Sequence, residues 1–126
     1  MLTVDEIRKR IIPVLEENNV RGAVLFGSYA KGTANEDSDV DLLLDSDLRG
    51  FNFLGLVAKV QDALNMEDAD IFNLLYVKEH EKIFNEIIKY GVLIYGKVGH
   101  YKWHDNTTLQ NNKEGENKVC INPVRT

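Results

Sequence analysis

Apolar side chains recur at Leu2, Ile7, Ile11, Val14 and Leu15, near the spacing of one helical face, with Thr3 and Glu6 placed as a capping box. This predicts a helix over residues 2–17. Pro13 opposes it, because proline removes a backbone donor and should kink or shorten the helix at the bond to residue 9. After the break at Asn18 and Asn19, residues 20–26 form a short β-branched and apolar run that stops at Gly27, as a buried strand followed by a sharp turn would. Residues 39–44 repeat the strand pattern, with Asp39 and Asp41 on one face and Val40 on the other. Residues 51–64 carry Phe51, Leu54, Val57, Ala58 and Leu64 at helical spacing. Residues 70–77 suit a strand, 79–90 a helix stopped by Gly91, and 92–95 a last short strand before Gly96.

Beyond Val98 the pattern fades into Asn, Lys, Gly, Glu and Thr with few hydrophobes, too little apolar surface to offset the entropy of ordering. The expected organisation is one domain over 1–98 and a polar, flexible tail over 99–126. A length of 126 residues fits a single core. The formal charge of −5 offers no basic surface for a phosphate backbone, which argues against sequence-specific DNA binding. It does not argue against a nucleotide, since a triphosphate reaches acidic groups when divalent cations neutralise both. The single cysteine, Cys120, leaves no intramolecular disulfide or cysteine-built zinc cage. With no apolar run of membrane-spanning or leader length, a soluble cytoplasmic protein is expected.

The segment from Gly27 to Leu44 reads G-S-Y-A-K-G-T-A-N-E-D-S-D-V-D-L-L-L. Gly27 allows close backbone approach to a ligand, and a helix starting at Ser28 would aim free amides and a hydroxyl at an anion. Asp39 and Asp41 would stand about 7 Å apart on one strand face, and such oxygen-only ligands favour magnesium or manganese over zinc. A two-metal site needs a further carboxylate on a neighbouring strand. Asp70 opens the next strand pattern, while Asp68, of the same parity, is the rival. The bland alternatives are definite: Gly-Ser pairs are ordinary turns, and acidic stretches are usually solvated loops. Lys31 reads equally as a phosphate contact or a surface cation. Ser38 and Thr33 suit local loop bonds. His80, His100 and His104 are scattered, and Tyr101 and Trp103 could anchor a partner or fold back onto the domain.

Gly-Ser followed by ten residues and then Asp-Val-Asp resembles the signature of the nucleotidyltransferase superfamily that includes polymerase beta and the aminoglycoside nucleotidyltransferases, over about residues 5–96. The short length and the closing E-I-I-K-Y-G-V-L-I-Y-G look most like the minimal nucleotidyltransferases of prokaryotes, often the antitoxin partners of HEPN-domain ribonucleases. The resemblance implies an α/β (α+β) fold with a small mixed sheet flanked by helices. It further implies metal ligands and catalytic groups at Asp39, Asp41 and Asp70 for two Mg2+ ions, with Mn2+ as the alternative. Gly27 and Ser28 match the phosphate-binding turn, and Lys31 stands where many relatives have arginine. The implied reaction moves AMP from ATP to a tyrosine hydroxyl of a HEPN-type ribonuclease toxin. Two competing classes make different demands: a non-catalytic antitoxin would neutralise its partner by complex formation alone, and a structural metal domain would take calcium as readily as magnesium.

Overall fold

The computed structural model describes residues 1–104. Its first helix, α1 (Val4–Glu17), starts on a reciprocal cap: the Thr3 hydroxyl accepts from the Glu6 amide at 3.1 Å, and the Glu6 carboxylate accepts from the Thr3 amide at 2.8 Å. The helix runs through Pro13. Ile7, Ile11 and Leu15 are fully buried, and burial worth about 1.5–3 kcal/mol per aliphatic side chain offsets the roughly 3 kcal/mol cost of an interior proline.

Strand β1 (Gly22–Phe26) is buried along its whole length and occupies a central place in a four-stranded sheet. It leads directly into the short helix α2 (Gly27–Lys31). Next come β2 (Asp41–Asp45), α3 (Gly50–Leu64), β3 (Asp70–Asn73), a single helical turn α4 (Leu74–Val77), α5 (Glu81–Tyr90) and β4 (Val92–Gly96). The strand order is β3-β2-β1-β4. β1 pairs antiparallel with both β2 and β4, whereas β2 and β3 run parallel, so the sheet is mixed as expected.

Alternation along the strands divides the core in two. Ala23, Leu25, Leu42 and Leu44 pack with the buried stripes of α1 and α3, while Val24, Phe26 and Leu43 pack with Leu74, Val77 and Ile87 from α4 and α5.

Four sequence expectations change in detail. The second strand begins at Asp41, so Asp39 lies in the approach to it. The expected strand over 70–77 ends at Asn73 because Leu74 and Val77 both enter one cluster, and a helical turn puts positions three apart on one side where a strand would separate them. In α3 the buried stripe is Leu56, Val60 and Leu64, leaving Phe51 90% and Leu54 58% exposed. Finally, packed chain continues past 98. The Gly99 amide donates to Asp45 at 2.8 Å, the Trp103 indole to the Val98 carbonyl at 3.0 Å, and the Leu93 amide to the His104 carbonyl at 2.8 Å. Tyr101 meets Phe84 and Trp103 edge to face. The first residues of the expected tail thus fold back on the domain, and 105–126 lie outside the described residues.

Candidate active site

The end of β1 fixes the geometry. Phe26 is the register partner of Asp41, and Asp41 is in turn the partner of Asp70 across the parallel pair. Residues opposite one another in adjacent strands share a face, so both carboxylates emerge on the side carrying Phe26. The Asp70 amide also donates to the Val40 carbonyl at 2.9 Å, tying the openings of β2 and β3 together.

Gly27 follows immediately with a φ of 73°, in the left-handed region that favours glycine. A Cβ at this position would run into the Asp41 carboxylate. The turn therefore needs glycine twice, for its backbone conformation and for the carboxylate packed against it. Ser28 continues into α2, whose first-turn amides have no partner within a helix.

Asp41 is half-buried, whereas Asp39 and Asp70 are exposed. Burial raises the pKa of Asp41, and a hydrogen bond with the Asp70 carboxyl and the negative charges of Asp70 and Asp39 raise it further, to about 7. Three carboxylates thus act on one another without a protein cation among the causes. Among the described residues they do not close into a ready-made ion cage: Asp41 and Asp70 share a hydrogen bond and Asp39 contributes only its charge. The donor set nevertheless fits a hard divalent cation, being all carboxylate oxygen with mutual repulsion that a cation would relieve.

Asp68 lies in the exposed turn before β3, outside this pairing. Lys31 turns toward α5, with its ammonium 2.7 Å from Glu86 and 4.7 Å from the Tyr90 ring centroid. Ser38 orders the connecting loop by accepting from the Asn35 amide at 2.9 Å, and the Thr33 amide donates to the Ser28 carbonyl. His104 sits beside β4, away from any cluster of metal-ligating side chains among the described residues. Sequence reading did not single out Glu86 and Tyr90. Their four-residue helical spacing puts them on one face, but nothing local indicates that this face meets α2.

A small mixed sheet in which a Gly-Ser turn abuts a pair of carboxylates on adjacent strands defines a nucleotidyltransferase-type domain. Residues 9–98 match the Polymerase beta, Nucleotidyltransferase family, and the chain belongs to that family and is a nucleotidyltransferase. It is 32% identical over 91 residues to a candidate protein adenylyltransferase of Methanocaldococcus jannaschii, covering 69% of this chain and 97% of that protein. It is 45% identical over 49 residues to the protein adenylyltransferase MntA of Thermococcus cleftensis, covering 36% of this chain and 50% of that protein. A chain from a crystal structure of a toxin-antitoxin with AMP-PNP matches with a TM-score of 0.60 and 26% identity over 71% of this chain and 73% of that one. The fold also matches a chain from the complex of a tri-AMPylated Shewanella oneidensis HEPN toxin with an MNT antitoxin, with a TM-score of 0.57 and 21% identity over 75% of this chain and 74% of that one.

Proposed function

We propose that this chain transfers AMP from ATP to a hydroxyl of a protein acceptor, a HEPN-type ribonuclease toxin, and so acts as its antitoxin in the cytoplasm. The observation that carries the reading is the pairing of Asp41 with Asp70 directly against the Gly27 turn. Phosphate oxygens would be received by the turn at Gly27 and Ser28, with Lys31 within the same helix as a further phosphate contact. Asp39, Asp41 and Asp70 would hold two magnesium ions, or manganese in their place, which supply charge neutralisation and lower the pKa of the attacking hydroxyl. Asp70 stands on the outer strand and assists as the base that draws the proton from the acceptor hydroxyl. The acceptor oxygen forms a bond to the α-phosphorus as the bond from that phosphorus to the bridging oxygen breaks. The products are an adenylylated acceptor, pyrophosphate and one proton. The relatives named as adenylyltransferases and the AMP-PNP bound in a structural neighbour support ATP as donor, and the toxin complexes support the acceptor. No helix among the described residues is long and apolar enough to cross a membrane.

The test is transfer of label from α-labelled ATP to protein in a lysate of the source cells with magnesium, comparing the natural chain with Asp39→Ala/Asp41→Ala. A labelled band that disappears with the double substitution is expected. Absence of labelling with the natural chain, in the presence of a co-purifying partner, would instead favour neutralisation by complex formation.

A further inference from the structure

Sheet order separates the two sides of the site. Gly27 and Ser28 follow β1, on one side of Asp41, whereas Asp70 lies on the other side, on the edge strand β3. With phosphates received on the β1 side, an acceptor hydroxyl must arrive over β3. Asn73 stands at the far end of that strand, about 10 Å from Asp70 at the usual strand rise.

There the surface changes character. A pocket of about 220 Å³ opens between the start of α3 and α4, lined by Leu48, Arg49, Phe53, Asn73, Leu75 and Tyr76. Two of its lining residues are themselves exposed, Tyr76 at 48% and Leu75 at 41%, and Phe51 at 90% and Leu54 at 58% stand in the same first turns of α3 as the lining residues Gly50 and Phe53. Scattered exposed hydrophobes are common, but a group gathered around a cavity marks an interaction surface. Asn73 adds a polar demand. Its amide nitrogen donates to the Leu48 carbonyl at 3.1 Å, while its Oδ1 is buried with no hydrogen-bond partner among the described residues. Buried acceptors are normally satisfied, so a donor at this place completes the site. Tyr76 links the pocket back toward the catalytic face, for it stacks on Phe72, two residues from Asp70 on the same side of β3.

Resting on the proposed function, we infer that this apolar face is the docking surface for the protein acceptor. An apolar segment of the acceptor fills the pocket, gives an N–H or O–H to Asn73 Oδ1, and lies along the edge of β3 so that its hydroxyl reaches Asp70. Continuity with the open side of the catalytic pair selects the acceptor over a second copy of this chain, which would block that edge.

The experiment places a benzophenone-bearing phenylalanine at position 51 or 54 and irradiates the full chain in source-cell lysate with α-labelled ATP and magnesium. Alongside it, a Phe51→Ser/Leu54→Ser chain is assayed for label transfer and, by calorimetry, for magnesium-ATP binding. The labelled acceptor should crosslink from both positions. Transfer to it should fall about tenfold or more in the double variant, while ATP affinity stays within about twofold, as expected for loss of an exposed docking anchor. A crosslink to a second copy of this chain, or a labelled acceptor that neither crosslinks nor loses label in the variant, overturns the docking surface alone. A natural chain that labels nothing, or an Asp39→Ala/Asp41→Ala chain that labels as well as the natural one, overturns the transferase reading and with it the acceptor's place on this face.

Discussion

Asp41 and Asp70 are direct register partners across the parallel pair β2 and β3, and their carboxyls share a hydrogen bond that requires a proton. A cation can take the place of that proton. Because Asp41 holds it up to about pH 7, magnesium must compete with it below that point. Affinity for magnesium should therefore rise as pH increases from about 5 to 8 and level off above, measured by calorimetry in buffers of different ionisation enthalpy. Proton release on binding should be largest at about pH 5 to 6, fall to about half near pH 7, and be small at pH 9. Affinity that does not change across this range would show that Asp41 is not a ligand.

The same proton bears on stability in the absence of metal. Asp41 titrates near 7 in the fold, against about 3.9 for an ordinary aspartate, so between those values the folded state binds more protons than the unfolded one. Stability consequently falls as pH rises through this window and is lowest above 7. Asp41→Asn removes the penalty. After allowance for solvent screening at a half-buried group, the metal-free variant should be more stable than the natural chain by about 1 kcal/mol at pH 8, with no gain at pH 4. Thermal unfolding at the two pH values with chelator present checks the sign, and the variant should have lost transfer activity.

Gly27→Ala should be damaging in two separable ways. The left-handed backbone at Gly27 makes any side chain strained, costing about 1–2 kcal/mol, and the new methyl displaces the Asp41 carboxylate. Loss of transfer should exceed what the fall in stability explains, and lowering the assay temperature should not restore it. Full activity at a temperature where the variant is folded would mean that the contact with Asp41 has no catalytic role.

Lys31 is held by Glu86 and lies over Tyr90, both on α5. Hydrogen bonding to Glu86 raises the Lys31 pKa, so the ammonium stays charged through neutral pH. Exposed ion pairs contribute little to stability, and Glu86→Gln should leave the melting temperature nearly unchanged. If Lys31 leaves this pair to meet a phosphate, Lys31→Gln should raise KM for ATP severalfold, whereas Glu86→Gln should leave it unchanged or lower it. Equal effects of the two substitutions would assign the pair to holding α2 in place.

The fold was legible where a local rule and the core agree. Thr3 with Glu6 announces α1, and the short, largely apolar run before Gly27 announces a buried strand. The Gly27 turn and the place of Asp41 were equally readable, because close approach leaves its trace in residue type, whereas Asp39 falls before β2 and the partner of Asp41 in the sheet is Asp70. Reading failed where the partner surface decides. Phe51 and Leu54 fit a helical stripe as well as Leu56, Val60 and Leu64 do, and only the position of α1 against α3 makes the second stripe the buried one. Leu74 and Val77 likewise read as strand until the cluster around Ile87 draws both to one side. The direction of Lys31 depends on α5, more than fifty residues away in sequence, and no local pattern encodes it.

Trp103 and its neighbours give the last prediction, since composition marks them as tail and packing marks them as domain. The indole donates to Val98, its ring packs against the cluster of Val24, Leu43 and Ile87, and the backbone of His104 bonds to Gly91 and Leu93 beside β4. A chain ending at residue 98 loses all of these and uncovers the edge of β4, whereas one ending at 104 keeps them. The shorter chain should be less stable by about 2–4 kcal/mol, and Trp103→Ala in the full chain by about 1–3 kcal/mol. The chain ending at 104 should unfold at a clearly higher temperature than the chain ending at 98. Paired thermal melts settle the order: if the two truncated chains melt together, the strand-edge contacts of residues 99–104 contribute nothing, and the domain ends at Val98.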